Sequence, residues 1–154
     1  MGLDMYLHRR HYVQRWNHIT NDQQFTVTVM RGGEPYRAID PERVAYVIEQ
    51  VAYWRKANQI HRWFVDNVQN GKDDCREYPV SRDQLRKLLD LVNHVMRGTL
   101  LPQDALPTQK GFFFGSATYS RDYHYDLEET KRQLEPLLAE ENKGNPEYYY
   151  RSSW

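Results

Sequence analysis

The sequence predicts an α+β fold: a small mixed or antiparallel sheet of about four or five strands with about three helices packed on it. Three observations carry that prediction. Runs that alternate apolar and polar residues occur at both ends of the chain and around a Gly-Gly pair. Three segments place apolar residues at helical spacing, two of them behind helix-start signals. The chain of 154 residues is read as one domain, 1–154, because its length leaves little room for two.

The elements follow in order. Leu3, Met5 and Leu7 alternate with Asp4, Tyr6 and His8, a strand with one apolar and one polar face. Residues 14–23 are polar and read as a loop. Phe25–Met30 and Tyr36–Ile39 flank Gly32-Gly33 and predict a β-hairpin. Asp40-Pro41-Glu42 places a capping side chain, a proline at the first helical position and an acid near the positive dipole end. Val44, Val47, Ile48 and Val51 follow at helical spacing, and nothing interrupts this helix before Gly71. Ser81-Arg82-Asp83-Gln84 is a capping box, and the helix behind it carries Leu85, Leu88, Leu89, Val92, Val95 and Met96 to a stop at Gly98. Leu100–Lys110 reads as loop, and Gly111–Ser116 as a short buried strand or tight turn. A last helix runs from about Asp122 to Glu141, kinked by Pro136. Glu147–Trp154 is a terminal strand.

Composition bounds the function. Ile, Leu, Val and Phe make up only about a fifth of the chain, but 12 Tyr and 4 Trp supply large apolar area for a core. The 21 basic and 21 acidic residues cancel, so long-range attraction to a polyanion is absent and non-specific nucleic-acid binding is not expected. No apolar run approaches the length of a membrane span, and the N-terminal residues lack the pattern of a secretory leader, so a cytoplasmic protein with no membrane partner is expected. The single Cys75 excludes an internal disulfide framework and a multi-thiolate metal site. His8 and His11 fall on opposite faces of a strand, and neither a P-loop nor a Gly-x-Gly signature is present, so no metal or cofactor is expected.

The segment after Val51 carries the functional reading. Extended at 100° per residue, the core stripe of the helix expected from Pro41 passes through Trp54, Arg55, Asn58, His61 and Arg62, so a polar cluster takes the place of core. Buried polar groups need partners, and two guanidiniums, an amide, an imidazole and an indole match a planar, phosphate-bearing ligand. Arg55 and Arg62 would hold phosphate, Trp54 and Tyr6 would stack, and Asn58, His61 and Asp4 would read hydrogen-bonding edges. Gly115 and Ser116, in the glycine-bracketed Phe turn, would bring backbone amides and a hydroxyl to an anion. Tyr148, Tyr149, Tyr150 and Trp154 read as anchors that dock on the sheet or on a second subunit, so a homo-oligomer is expected.

Four blocks, GLDMYL at 2–7, YWRKANQIHRWFV at 53–65, LPTQKGFFFGS at 106–116 and YYYRSSW at 148–154, resemble a family of small uncharacterised phage and prophage proteins. That family carries no assigned activity. The resemblance implies an accessory role in phage biology, for which capture of a host nucleotide immune signal is one class. The expectation is therefore a ligand-sequestering module for a nucleotide-like molecule. Its alternatives are a hydrolase of phosphodiester or nucleoside bonds, using His61 or Asp4, and a protein-interaction module that inhibits a host factor through the Tyr-rich terminus.

Overall fold

The computed structural model describes residues 2–154. A four-stranded antiparallel sheet orders its strands β4-β1-β6-β5, where β1 is Asp4–Tyr12, β4 Tyr46–Arg55, β5 Tyr78–Val80 and β6 Glu147–Ser153. A separate two-stranded hairpin joins β2 (Met30–Arg31) to β3 (Glu34–Pro35). Helices α1 (Asn58–Asn67), α2 (Arg82–Met96), α3 (Pro102–Ala105) and α4 (Arg121–Ala139) complete the α+β architecture. None of the described helices is long and apolar enough to cross a membrane.

Alternation in β1 behaves as the sequence expects. Leu3, Met5 and Leu7 are fully buried, and the same face continues through Ala52 and Trp54 of β4 and Tyr148 and Tyr150 of β6. Leu85, Leu88 and Val92 of α2 and Leu127 and Leu134 of α4 close the core from that side. The capping box of α2 forms, with Ser81 accepting from Gln84 N at 3.0 Å and Gln84 accepting from Ser81 N at 2.9 Å. Pro136 lies in the last turn of α4, three residues before its end.

The long helix expected from Pro41 does not form. Its start signal is real, since the Asp40 carboxylate accepts from Glu42 N at 3.0 Å, but it caps only a 3-10 turn over Pro41–Arg43. The β-branched residues Val47, Ile48 and Val51 then enter β4, which pairs with β1 from Asp4↔Arg55 to Tyr12↔Tyr46. A register shift opposite Leu7/His8 breaks the strict alternation that would have marked the segment as a strand. The β2–β3 hairpin keeps the Gly32-Gly33 turn, at φ 60 and 83, but its arms are two residues long, shorter than Phe25–Met30 and Tyr36–Ile39. The Leu100–Lys110 loop contains the one-turn α3. Residues 111–116 form a turn, with Phe112 95% exposed and Phe114 buried.

Candidate functional site: a cleft beside Arg55 and Lys56

Where β4 ends, the chain turns sharply into α1. Lys56 adopts φ 59, a left-handed conformation that costs a residue with a Cβ about 1–2 kcal/mol. Two backbone hydrogen bonds hold it there, Lys56 N to Leu3 O at 2.8 Å and Asn58 N to Lys56 O at 2.9 Å. Its aliphatic stem passes close to two glycines. A Cβ at Gly2 would stand 3.1 Å from Lys56 Cε, and one at Gly115 3.1 Å from Lys56 Cβ. Gly115 also has φ 80, which favours glycine. The turn at 111–116 therefore approaches Lys56 as closely as backbone can.

That approach opens a cleft of about 390 Å³, within the roughly 300–1,000 Å³ of small-molecule sites. Arg55, Lys56 and Gln59 form one wall, Gly115 and Ser116 a second, and Asp122, Tyr125 and Asp126 of the first turns of α4 a third. Among the described residues, Arg55 and Lys56 enter no ion pair, so both cations are available to an anion. The Ser116 hydroxyl is 2.7 Å from Thr118 Oγ1 and accepts from Thr118 N at 3.3 Å, which orients it at the rim. Tyr125 is 60% exposed and stands at the mouth.

Asp126 gives the cleft its chemistry. Burial pushes its carboxyl up to about 6; the Gln59 amide, donating to Oδ2 at 3.2 Å, opposes the shift, and the Asp122 charge adds to it. The site thus offers two cations, a carboxyl pushed up to about 6 and a second acid one helical turn away. This set suits a ligand with an anionic end and a hydrogen-bond-donating end.

A second polar cluster is closed. His61 is 0% exposed; its Nε2 lies 3.0 Å from Asp73 Oδ2 and its Nδ1 2.7 Å from the Tyr150 hydroxyl. A carboxylate can only accept, so Nε2–H donates to Asp73 and Nδ1 accepts from Tyr150. Trp154 Nε1–H donates to the other Asp73 oxygen at 3.0 Å. Burial lowers the His61 pKa, against the pull of Asp73, and burial raises that of Tyr150. Phe64 stacks on Tyr150 at 3.8 Å between ring centroids, and Phe114 meets His61 edge-on at 5.3 Å. Every member has an internal partner and the imidazole has no access to solvent. The network ties β6, α1 and the 72–75 segment together.

The residues singled out from sequence are thereby divided. Arg55, Gly115 and Ser116 meet in the cleft. Asp4 and Tyr6 lie on the sheet face away from the core, where Asp4 accepts from the Tyr53 hydroxyl and Tyr6 packs on Tyr53 at 5.4 Å. Trp54 is core, 3% exposed, with Nε1–H donating to Thr130 Oγ1 at 2.9 Å, so it is no stacking platform. Asn58 is 1% exposed and clamps the turn: its amide donates to Phe114 O at 3.0 Å and Ser116 O at 2.8 Å, and its oxygen accepts from Gln109 N at 2.9 Å. Arg62 donates to Thr108 O at 3.0 Å and faces Asp66, away from the cleft lining. Of the terminal anchors, Tyr148 and Tyr150 are buried in the core of their own chain, Tyr149 lies beneath the Arg10 guanidinium at 3.9 Å, and only Trp154 is substantially exposed.

Sequence reasoning missed Lys56, Gln59, Asp122, Tyr125 and Asp126. Asp122 and Asp126 stand four apart at a helix start and share a face, a readable signal. The left-handed turn at Lys56 had none. Among the described residues no three His, Cys, Asp or Glu side chains converge as a metal site would need. No protein-family model, curated protein or solved structure matches this chain.

Proposed function

We propose that the cleft binds and sequesters a small, nucleotide-like molecule through its phosphate. One observation carries the reading: Arg55 and Lys56, neither in an ion pair among the described residues, line one wall of a cleft whose other walls are a glycine turn and α4. Arg55 takes phosphate oxygens bidentately and Lys56 neutralises the remaining charge as a point cation. Asp122 and Asp126 accept from sugar hydroxyls or base amino groups, and Tyr125 covers the ligand. In the phage setting that the sequence resemblance implies, the ligand is a host nucleotide signal and the protein its sink. Self-association remains part of the proposal, through the edge strand β4, whose Val47 and Ile48 are exposed, in place of the terminal tyrosines.

The test is native mass spectrometry of the protein purified from cells, after incubation with a nucleotide pool, followed by denaturation. A retained mass of nucleotide size, released chemically intact, supports the sink. A hydrolase acting at the same cleft is the second reading, favoured by the Asp126 carboxyl near 6 beside Asp122, a pairing suited to general acid–base work. It requires the same experiment to yield cleaved product.

A further inference from the structure

Among the described residues, none of those on the second face of the sheet is buried. Across it run rows set by the strand register: Arg55–Asp4–Ser153, Tyr53–Tyr6–Arg151, Gln50–His8–Tyr149, Ile48–Arg10–Glu147 and Tyr46–Tyr12. All of these are exposed or half-buried. The rings are coupled to one another and to guanidiniums. Tyr6 lies 5.4 Å from Tyr53 and 6.2 Å from His8, the latter pair stacked at 25°, and the Arg151 guanidinium stands 5.6 Å from the Tyr6 centroid. Arg10 covers Tyr149 at 3.9 Å and is ion-paired with Glu77. Tyr12 and Tyr46 extend the line edge-to-face at 5.2 Å. From Tyr6 to Tyr12 this line runs about 20 Å along β1, longer than any single planar ligand needs.

We infer that this face is a stacking platform for a short single-stranded nucleic acid. Successive bases lie on Tyr6 and His8, and the ends of the rows provide Arg55 and Arg151 for backbone phosphates; among the described residues neither arginine forms an ion pair. Base–aromatic stacking tolerates any sequence because every base has a π-face. A second copy of this chain fits poorly, because face-to-face sheet packing buries interdigitated apolar side chains and this face carries Asp4, Arg10, Arg55, Glu147 and Arg151. The zero net charge removes long-range attraction, so binding is short-ranged and only weakly salt-dependent: two phosphate contacts give a log–log salt slope of about −1.4. Apart from Arg55, none of these residues lines the cleft, and the inference does not rest on the cleft holding a nucleotide.

Fluorescence anisotropy with labelled oligothymidylate and oligouridylate of about ten nucleotides tests it. Binding is expected, weakened about tenfold or more in Tyr6→Ala and preserved in Tyr6→Phe, which keeps the ring. Arg151→Gln, at an exposed position that cannot threaten folding, is expected to make the salt slope shallower by about 0.7. An unchanged anisotropy with the wild-type protein overturns the inference, as does unaltered binding in both Tyr6→Ala and Arg151→Gln. A dimer that binds no oligonucleotide and that Tyr6→Ala dissociates assigns the face to a second copy and equally overturns it.

Discussion

Gln59 and His61 are two residues apart in the first turn of α1 and so point to nearly opposite sides of it. His61 enters a cluster in which imidazole, carboxylate, phenol and indole satisfy one another inside the protein. Gln59 reaches a cleft whose two cations enter no ion pair among the described residues and whose Asp126 is pushed above its ordinary pKa. Similar side-chain chemistry thus serves structure on one side of the helix and leaves binding capacity on the other. Residue type does not separate the two; whether the chain supplies the partners does.

The sharpest way to break this contrast is at His61. His61→Leu leaves the Tyr150 hydroxyl without its acceptor and Asp73 without its ring donor, and is expected to cost roughly 3 kcal/mol or more, read by urea unfolding. A functional His61 would instead show lost binding at unchanged stability. The sign of the pH dependence is also set. A His held neutral in the fold loses stability as pH falls below the ordinary value of 6.5, because the unfolded chain takes up the proton. His61→Leu is expected to flatten that acid limb.

Asn58→Ala ranks next, at roughly 2–3 kcal/mol, since three hydrogen bonds from a buried side chain to residues 109–116 are lost together. Hydrogen exchange is expected to rise selectively in that turn, and cleft binding to weaken with it.

At Asp126 the contrast is sharpened by pH. Its raised pKa means the fold favours the protonated carboxyl; that contribution is full below 3.8 and is lost as pH rises through about 6. Asp126→Asn is therefore expected to gain about 1–2 kcal/mol above about pH 7, after allowance for solvent screening, and nothing below about pH 3.5. Binding of a phosphate-bearing ligand is expected to tighten as pH falls through the same window, because a negative charge leaves the cleft.

Lys56→Gly carries the smallest effect on stability. Relief of the left-handed conformation at φ 59 is expected to add up to about 1 kcal/mol, while loss of the ammonium weakens ligand binding. Stability and binding moving in opposite directions is the signature of strain held for function.

Much of the frame was legible in the sequence. Alternation in Leu3–Leu7, the capping box at Ser81 and the leucine faces of α2 and α4 follow from local periodicity, and the structure has them where the pattern puts them. The segment from Pro41 was misread because Asp40-Pro41 is a valid cap used for a single 3-10 turn, while the register shift in β4 made a strand look periodic at 3.6. That error carried into the site. Trp54 and Arg55 stand on a strand and so point to opposite faces, one into the core and one toward the cleft, where a helix would have kept them adjacent. The polar residues His61 and Asn58 were rightly expected to need partners, and the partners proved to be Asp73, Tyr150 and the 109–116 turn, which no local pattern announces.

Isothermal titration of AMP and of a cyclic dinucleotide into the wild-type protein and Arg55→Ala decides whether the cleft holds a nucleotide by its phosphate. Arg55 is exposed and outside the core, so its truncation is expected to change stability by no more than about 0.5 kcal/mol. Saturable binding of at least one probe by the wild type is expected, lost in Arg55→Ala at an unchanged melting temperature. Absence of binding by the wild type to both probes, or equal binding by the two proteins, would contradict it.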